Sequence, residues 1–118
     1  MVLDDNEDIR RLIAECFQLF GADECYTYAS VAEMQADAPH ALSCNLALLD
    51  VNLGDRVPTG IDAKAWLLAE HFAGRIAFIT GHARMHPELL YAQKTTGVPV
   101  YEKPVPLRDL EKLWIETP

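Results

Sequence analysis

Apolar residues recur along this chain at two different spacings, and the spacing assigns each stretch. Ile9, Leu12, Ile13, Cys16, Phe17 and Phe20 fall at i, i+3, i+4, i+7, i+8 and i+11, the stripe of an amphipathic helix, and Gly21 ends it. Five other apolar runs, at residues 1–3, 25–29, 46–49, 76–79 and 98–101, are too short for such a helix and read as strands. The segments between them carry helix end signals. Ser30 and Glu33 form a capping box, Thr59 and Asp62 a weaker copy, Pro87 and Pro106 suit first helical turns, and Gly74 and Gly97 suit stops.

Strand and helix thus alternate five times. Interior strands that are continuous apolar runs belong to a parallel sheet covered on both faces, so the expected fold is a doubly wound α/β domain. Pro99 removes a ladder donor from the last run, which is tolerable if that strand lies at a sheet edge. No internal repeat, low-complexity tract or linker interrupts the pattern; the loop at 52–60 is the one stretch beside a strand end punctuated by glycine and proline.

Composition narrows the class. A chain of 118 residues, 50% hydrophobic and 24% charged, fits one globular domain over 1–118 and excludes a disordered tail. The net charge of -8 is the wrong sign for a phosphate backbone, so direct nucleic-acid binding is not expected. Cys16, Cys25 and Cys44 form no CxxC pair, no apolar run approaches the roughly 18 residues of a membrane span, and the acidic start is no signal peptide. A soluble cytoplasmic protein without a membrane partner is expected.

The chemistry lies where polar residues end the apolar runs. Asp4 and Asp5 follow the first strand, Asp50 the third, Thr80 ends the fourth, and Lys103 follows the fifth. All fall at carboxyl ends, the edge where open parallel sheets bind ligands. Three carboxylates brought that close repel one another unless a cation intervenes. Hard oxygen donors without nearby Cys or His favour Mg²⁺, and Mg²⁺ held by carboxylates points to phosphoryl chemistry.

The segments VLDDNEDIR, LLDVNLGD, FITGHA and YEKPV occur in this order, and with them nearly the whole chain resembles the receiver domains of two-component response regulators. The resemblance implies a flavodoxin-like sheet of order 2-1-3-4-5 with five helices. It implies that Asp50 accepts a phosphoryl group from a histidine kinase or phosphotransfer protein. Asp4, Asp5, Asp50 and the backbone carbonyl of Asn52 would hold Mg²⁺, Thr80 and Lys103 would contact the phosphoryl oxygens, and Tyr101 would be the switch aromatic. The bond between Lys103 and Pro104 is often cis in such domains. The fourth helix, fifth strand and fifth helix, roughly 84–114, would change partner on phosphorylation; a downstream effector, an attached domain and a homodimer stay open. So does excision from a longer regulator or hybrid kinase.

Plainer readings stand beside these. An Asp-Asp-Asn run before a helix is by itself a cap, and Lys103 by itself a solvated lysine. His82 and His86 are four apart, but no further Cys or His lies close and Pro87 interrupts, so zinc is not expected. The loop after Asp50 departs from the receiver pattern: Gly54 stands where most relatives place proline, Gly60 arrives late, and Asp55 and Arg56 are extra charges. Two other functions compete: a degenerate receiver acting as an interaction module without phosphorylation, and a Mg²⁺-dependent aspartyl phosphatase. Against the latter, dehalogenase-type phosphatases carry a second acid where this chain has Asn52. A nucleotide-binding module is weaker still, with no GxGxxG or P-loop.

Overall fold

The computed structural model describes residues 1–51, 53, 58–81 and 97–117. Five parallel strands, β1 (Val2–Leu3), β2 (Thr27–Tyr28), β3 (Leu46–Asp50), β4 (Arg75–Thr80) and β5 (Val100–Glu102), form one sheet of order β2-β1-β3-β4-β5. Among the described residues there are five helices: α1 (Glu7–Phe20), α2 (Val31–Ala36), α3 (Ala38–Ser43), α4 (Gly60–Ala69) and α5 (Leu107–Glu116). The order reverses at β1, so the carboxyl ends of β1 and β3 flank a crevice.

Alternation along the strands divides the core between two faces. Leu3, Ala47, Leu49, Ile76 and Phe78 pack with Val31 and Met34 of α2, Ala41 of α3, and Ala63 and Leu67 of α4. Val2, Leu46, Leu48, Ala77 and Ile79 pack with Ile13 and Phe17 of α1 and Leu110 and Leu113 of α5. Every residue of β3 is buried, which is why its sequence shows no polar alternation. Pro99 lies just before β5, an edge strand as expected; its carbonyl still accepts from Phe78 N at 2.9 Å.

Several local expectations are corrected. The apolar stripe of α1 is narrower than its spacing suggests, because Leu12 is 62% exposed. The second crossover is two short helices. In one continuous helix the Pro39 ring would collide with the carbonyl four residues earlier. Asp37 instead breaks the helix, its two carboxylate oxygens held by Tyr28 Oη at 2.7 Å and His40 Nδ1 at 2.8 Å. The run at 25–29 pairs only over Thr27–Tyr28, since β1 offers two residues to pair with. Gly74 is not the stop of α4. His71 takes the left-handed turn there at φ 62°, while Phe72 N and His71 N donate to Leu67 O and Leu68 O. Gly74 is needed for a different reason: a Cβ on it would lie 2.8 Å from the Asn45 carbonyl.

Other expectations hold. Gly21, at φ 120°, ends α1, and Thr59 and Asp62 form a full capping box on α4. Ser30 accepts from Glu33 N, whereas the Glu33 carboxylate reaches one residue further back, to Ala29 N. Pro106 is the N-cap of α5, and the bond between Lys103 and Pro104 is cis. The expected helix beginning at Pro87 lies outside the described residues, as do His82, His86, Asn52 and Gly54–Arg56 of the loop.

Candidate functional site

β1, β3, β4 and β5 each deliver one polar group to the same edge. Asp4 follows β1, its amide paired with Tyr28 O at 3.1 Å; Asp50 and Thr80 are the last residues of β3 and β4. Lys103 follows β5, and its own amide donates to Thr80 O at 2.8 Å, extending the ladder by one residue and fixing where its side chain starts. Asp4, Asp50 and Thr80 have no exposed surface, and among the described residues they are the only buried polar or charged side chains. Asp5 is exposed at the rim.

The geometry is that of a crowded acidic pocket bridged by one ammonium. Lys103 Nζ lies 2.7 Å from Asp4 Oδ2 and 2.9 Å from Asp50 Oδ2. Burial alone would weaken the proton's hold on Lys103; pairing with Asp4 and Asp50 outweighs it and holds the ammonium above its ordinary pKa. Asp4 Oδ1 accepts from Asn6 N at 2.9 Å at the start of α1, and Arg10 Nη1 donates to the Asp4 carbonyl at 2.7 Å. One ligand oxygen each from Asp4, Asp5 and Asp50 lies within 4.8 Å of the others.

These residues fit a divalent cation. Among the described residues three carboxylates and one ammonium meet here, and the candidate donors are all hard oxygens. Asp4 Oδ2 is fully buried and, among the described residues, has the Lys103 ammonium at 2.7 Å as its one polar partner, which leaves part of its acceptor capacity unused. A buried oxygen left in that condition is costly in a protein but suits a metal ligand.

Four of the sequence-predicted site residues, Asp4, Asp5, Asp50 and Lys103, are thus brought together, and Thr80 lies at the same edge. Asn52 lies outside the described residues. Tyr101, half-buried in β5, pairs in register with Ile79 and packs into the α1 and α5 side of the core; burial pushes its phenol up from the usual value.

Two residues were not visible as site residues from the chain alone. A Cβ on Gly60 would lie 2.4 Å from the Asp50 carbonyl oxygen, so α4 begins pressed against the backbone of Asp50. Sequence showed this glycine only as a late arrival. Arg10 carried one signal, a cation among the acids that open a helix.

Comparisons with known proteins bear on the fold. No protein-family model matches the chain, and no curated protein matches it. Among solved structures, a CheY-like response regulator receiver domain protein from Methanospirillum hungatei JF-1 is 24% identical, with 98% of this chain and 88% of that chain covered and a TM-score of 0.79. The chemotaxis protein CheY4 of Vibrio cholerae is 23% identical over 99% of this chain and 95% of its own, with TM-score 0.79. The receiver domain of the Erythrobacter litoralis PhyR response regulator is 25% identical over 94% and 83%, with TM-score 0.75. The chain has the fold of the CheY-like response regulator receiver domains. Among the described residues no helix is long and apolar enough to cross a membrane.

Proposed function

We propose that residues 1–118 act as a phosphorelay receiver domain, in which Asp50 takes a phosphoryl group from the phosphohistidine of a histidine kinase or phosphotransfer protein. One observation carries this reading: a fully buried carboxylate at the carboxyl end of β3 hydrogen-bonded to Lys103 at 2.9 Å and grouped with two further acids. Phosphoryl transfer asks mainly for in-line positioning and neutralisation of spreading charge. The Asp50 carboxylate oxygen attacks phosphorus, the P–N bond to the donor imidazole breaks, and the imidazole nitrogen keeps the electron pair. The product is an acyl phosphate on Asp50.

Asp4, Asp5 and Asp50 would hold Mg²⁺. Bound there, it supplies neutralisation of the phosphoryl oxygens, which the acids alone would repel. Lys103 stabilises charge on the transferred group by exchanging carboxylate partners for a phosphoryl oxygen. Thr80, one residue beyond Ile79 in β4 and opposite Glu102 in β5, offers its hydroxyl to the same oxygens. Thr80 follows Ile79 in β4 and so faces away from Tyr101, which packs with Ile79 on the α1 and α5 side; the sheet gives Thr80 no direct path to that aromatic, and the coupling to the β5 and α5 surface runs instead through Lys103, which follows β5. The role is signalling rather than turnover of an external substrate, with no membrane anchor or nucleic acid needed for the chemistry.

Intact-protein mass after treatment with acetyl phosphate or phosphoramidate and Mg²⁺ tests the reading. The wild type is expected to gain one phosphoryl mass, lost in Asp50→Asn. An equal adduct in that variant, or none in the wild type, would sink it. Many turnovers of inorganic phosphate from a generic ester would favour the phosphatase instead.

A further inference from the structure

We propose that Arg10 is a positioning residue for the divalent-cation site, acting through the peptide group that joins Asp4 to Asp5. This inference rests on reading the acidic cluster as a Mg²⁺ site. Arg10 is the fourth residue of α1, where the helix dipole disfavours a cation, and the preceding residues Asp4, Asp5, Glu7 and Asp8 offer four carboxylates. Its neighbour Arg11 behaves as that setting suggests, pairing with Glu7 at 3.0 Å on the surface. Arg10 does not: among the described residues no carboxylate oxygen lies within 4.0 Å of it, and Nη1 instead donates to the Asp4 main-chain carbonyl at 2.7 Å, half-buried.

That carbonyl belongs to the one peptide plane between the two vicinal acids. Turning the plane about the Asp4 Cα–C bond moves the carbonyl oxygen and the Cα of Asp5 together, since both lie in it. Every other polar contact of Asp4 is already fixed: its amide by Tyr28, Oδ1 by Asn6 N, and Oδ2 by the Lys103 ammonium. The carbonyl bond to Arg10 closes the set. Asp5, exposed at the rim, has no such anchor of its own among the described residues, so its place depends on the plane that precedes it. Groups behind a ligand that orient it commonly govern metal affinity as strongly as a ligand does.

The sign of the effect separates this from simple electrostatics. A guanidinium near a dication repels it, so removing the charge alone would tighten Mg²⁺ binding. Loss of positioning weakens it. The test is calorimetric titration of the full chain with Mg²⁺, alongside thermal unfolding, for the wild type, Arg10→Met, Arg10→Gln and Arg10→Lys. Binding is expected to weaken about 10–100-fold in R10M and R10Q, with partial recovery in R10K, which keeps a donor. Two neutral variants of different head group guard against a folding defect in either. Affinity equal to or above wild type in R10M or R10Q, or no recovery in R10K, overturns the proposal. Absence of Mg²⁺ binding in the wild type overturns the receiver reading along with it, whereas wild-type binding with R10M unimpaired overturns the Arg10 role alone.

Discussion

Lys103 spans Asp4 and Asp50, two carboxylates without exposed surface, and its removal leaves both charges buried against each other. Breaking a buried pair by deleting one partner costs about 3–5 kcal/mol, since the remaining charge keeps its desolvation cost without its counter-ion. Lys103→Met is therefore expected to lose about 3 kcal/mol in EDTA, read by urea unfolding at pH 7. The pH dependence has a definite sign. Pairing raises Lys103 above its ordinary 10.5 in the folded state, so its contribution is complete below 10.5 and fades as pH rises through the higher folded value. The gap between wild type and K103M should stay level from pH 7 to 10 and narrow above; a gap that widens with pH would refute the ion-pair account. At this scale the sequence was informative wherever a polar residue ended an apolar run, as at Asp50 and Thr80, because a buried polar side chain needs a reason. It was silent on Arg10, whose partner is a main-chain carbonyl and therefore has no residue type to betray it.

Between elements, the junction of α4 with β3 sets the backbone of the acceptor. Gly60 opens α4 where a Cβ would meet main-chain atoms, Asp50 O at 2.4 Å and Asp50 C at 2.9 Å, none of which can swing aside as a side-chain tip could. Gly60→Ala must push α4 outward or displace Asp50. Overpacking of this kind costs about 1–3 kcal/mol, and the same shift moves the Asp50 carboxylate off Lys103. The expected result is a lower unfolding midpoint together with slower adduct formation from acetyl phosphate by intact mass. A G60A variant with wild-type stability would show that α4 is not seated as tightly as the backbone contact requires. Elements were the most legible level of this chain. The continuous apolar runs of β3 and β4 and the stripe of α1 name their own structure, since burial on both faces or on one leaves different spacings. What escaped was local competition: Pro39 splitting one crossover into α2 and α3, and His71 rather than Gly74 taking the left-handed turn, while Gly74 serves a separate close approach to Asn45.

Across the whole molecule, the doubly wound order brings together acids that lie 46 residues or so apart in sequence, Asp4 and Asp50, because β1 and β3 are neighbours in the sheet. Alternation of elements made the doubly wound class readable and let the acids be named from strand ends; that β1 and β3 are neighbours was an expectation from the receiver resemblance alone. Burial of Asp4 beside exposure of Asp5 was not readable, since two adjacent aspartates look alike until the turn is built. That asymmetry provides a global test. A cation that binds only the folded chain stabilises it by RT ln(1 + [L]/Kd), about 2.7 kcal/mol at a hundredfold excess over Kd. Wild-type protein should therefore gain about that much in urea unfolding when Mg²⁺ is added at that excess. Asp5→Asn removes a ligand that is exposed and not part of the Lys103 pairing, so its metal-free stability should stay within about 0.5 kcal/mol of wild type or rise as one repulsion is lost. The Mg²⁺ increment should nevertheless shrink sharply in D5N. If D5N keeps the full increment, the cation is stabilising the chain elsewhere on its acidic surface, and the crevice between β1 and β3 is not where it binds.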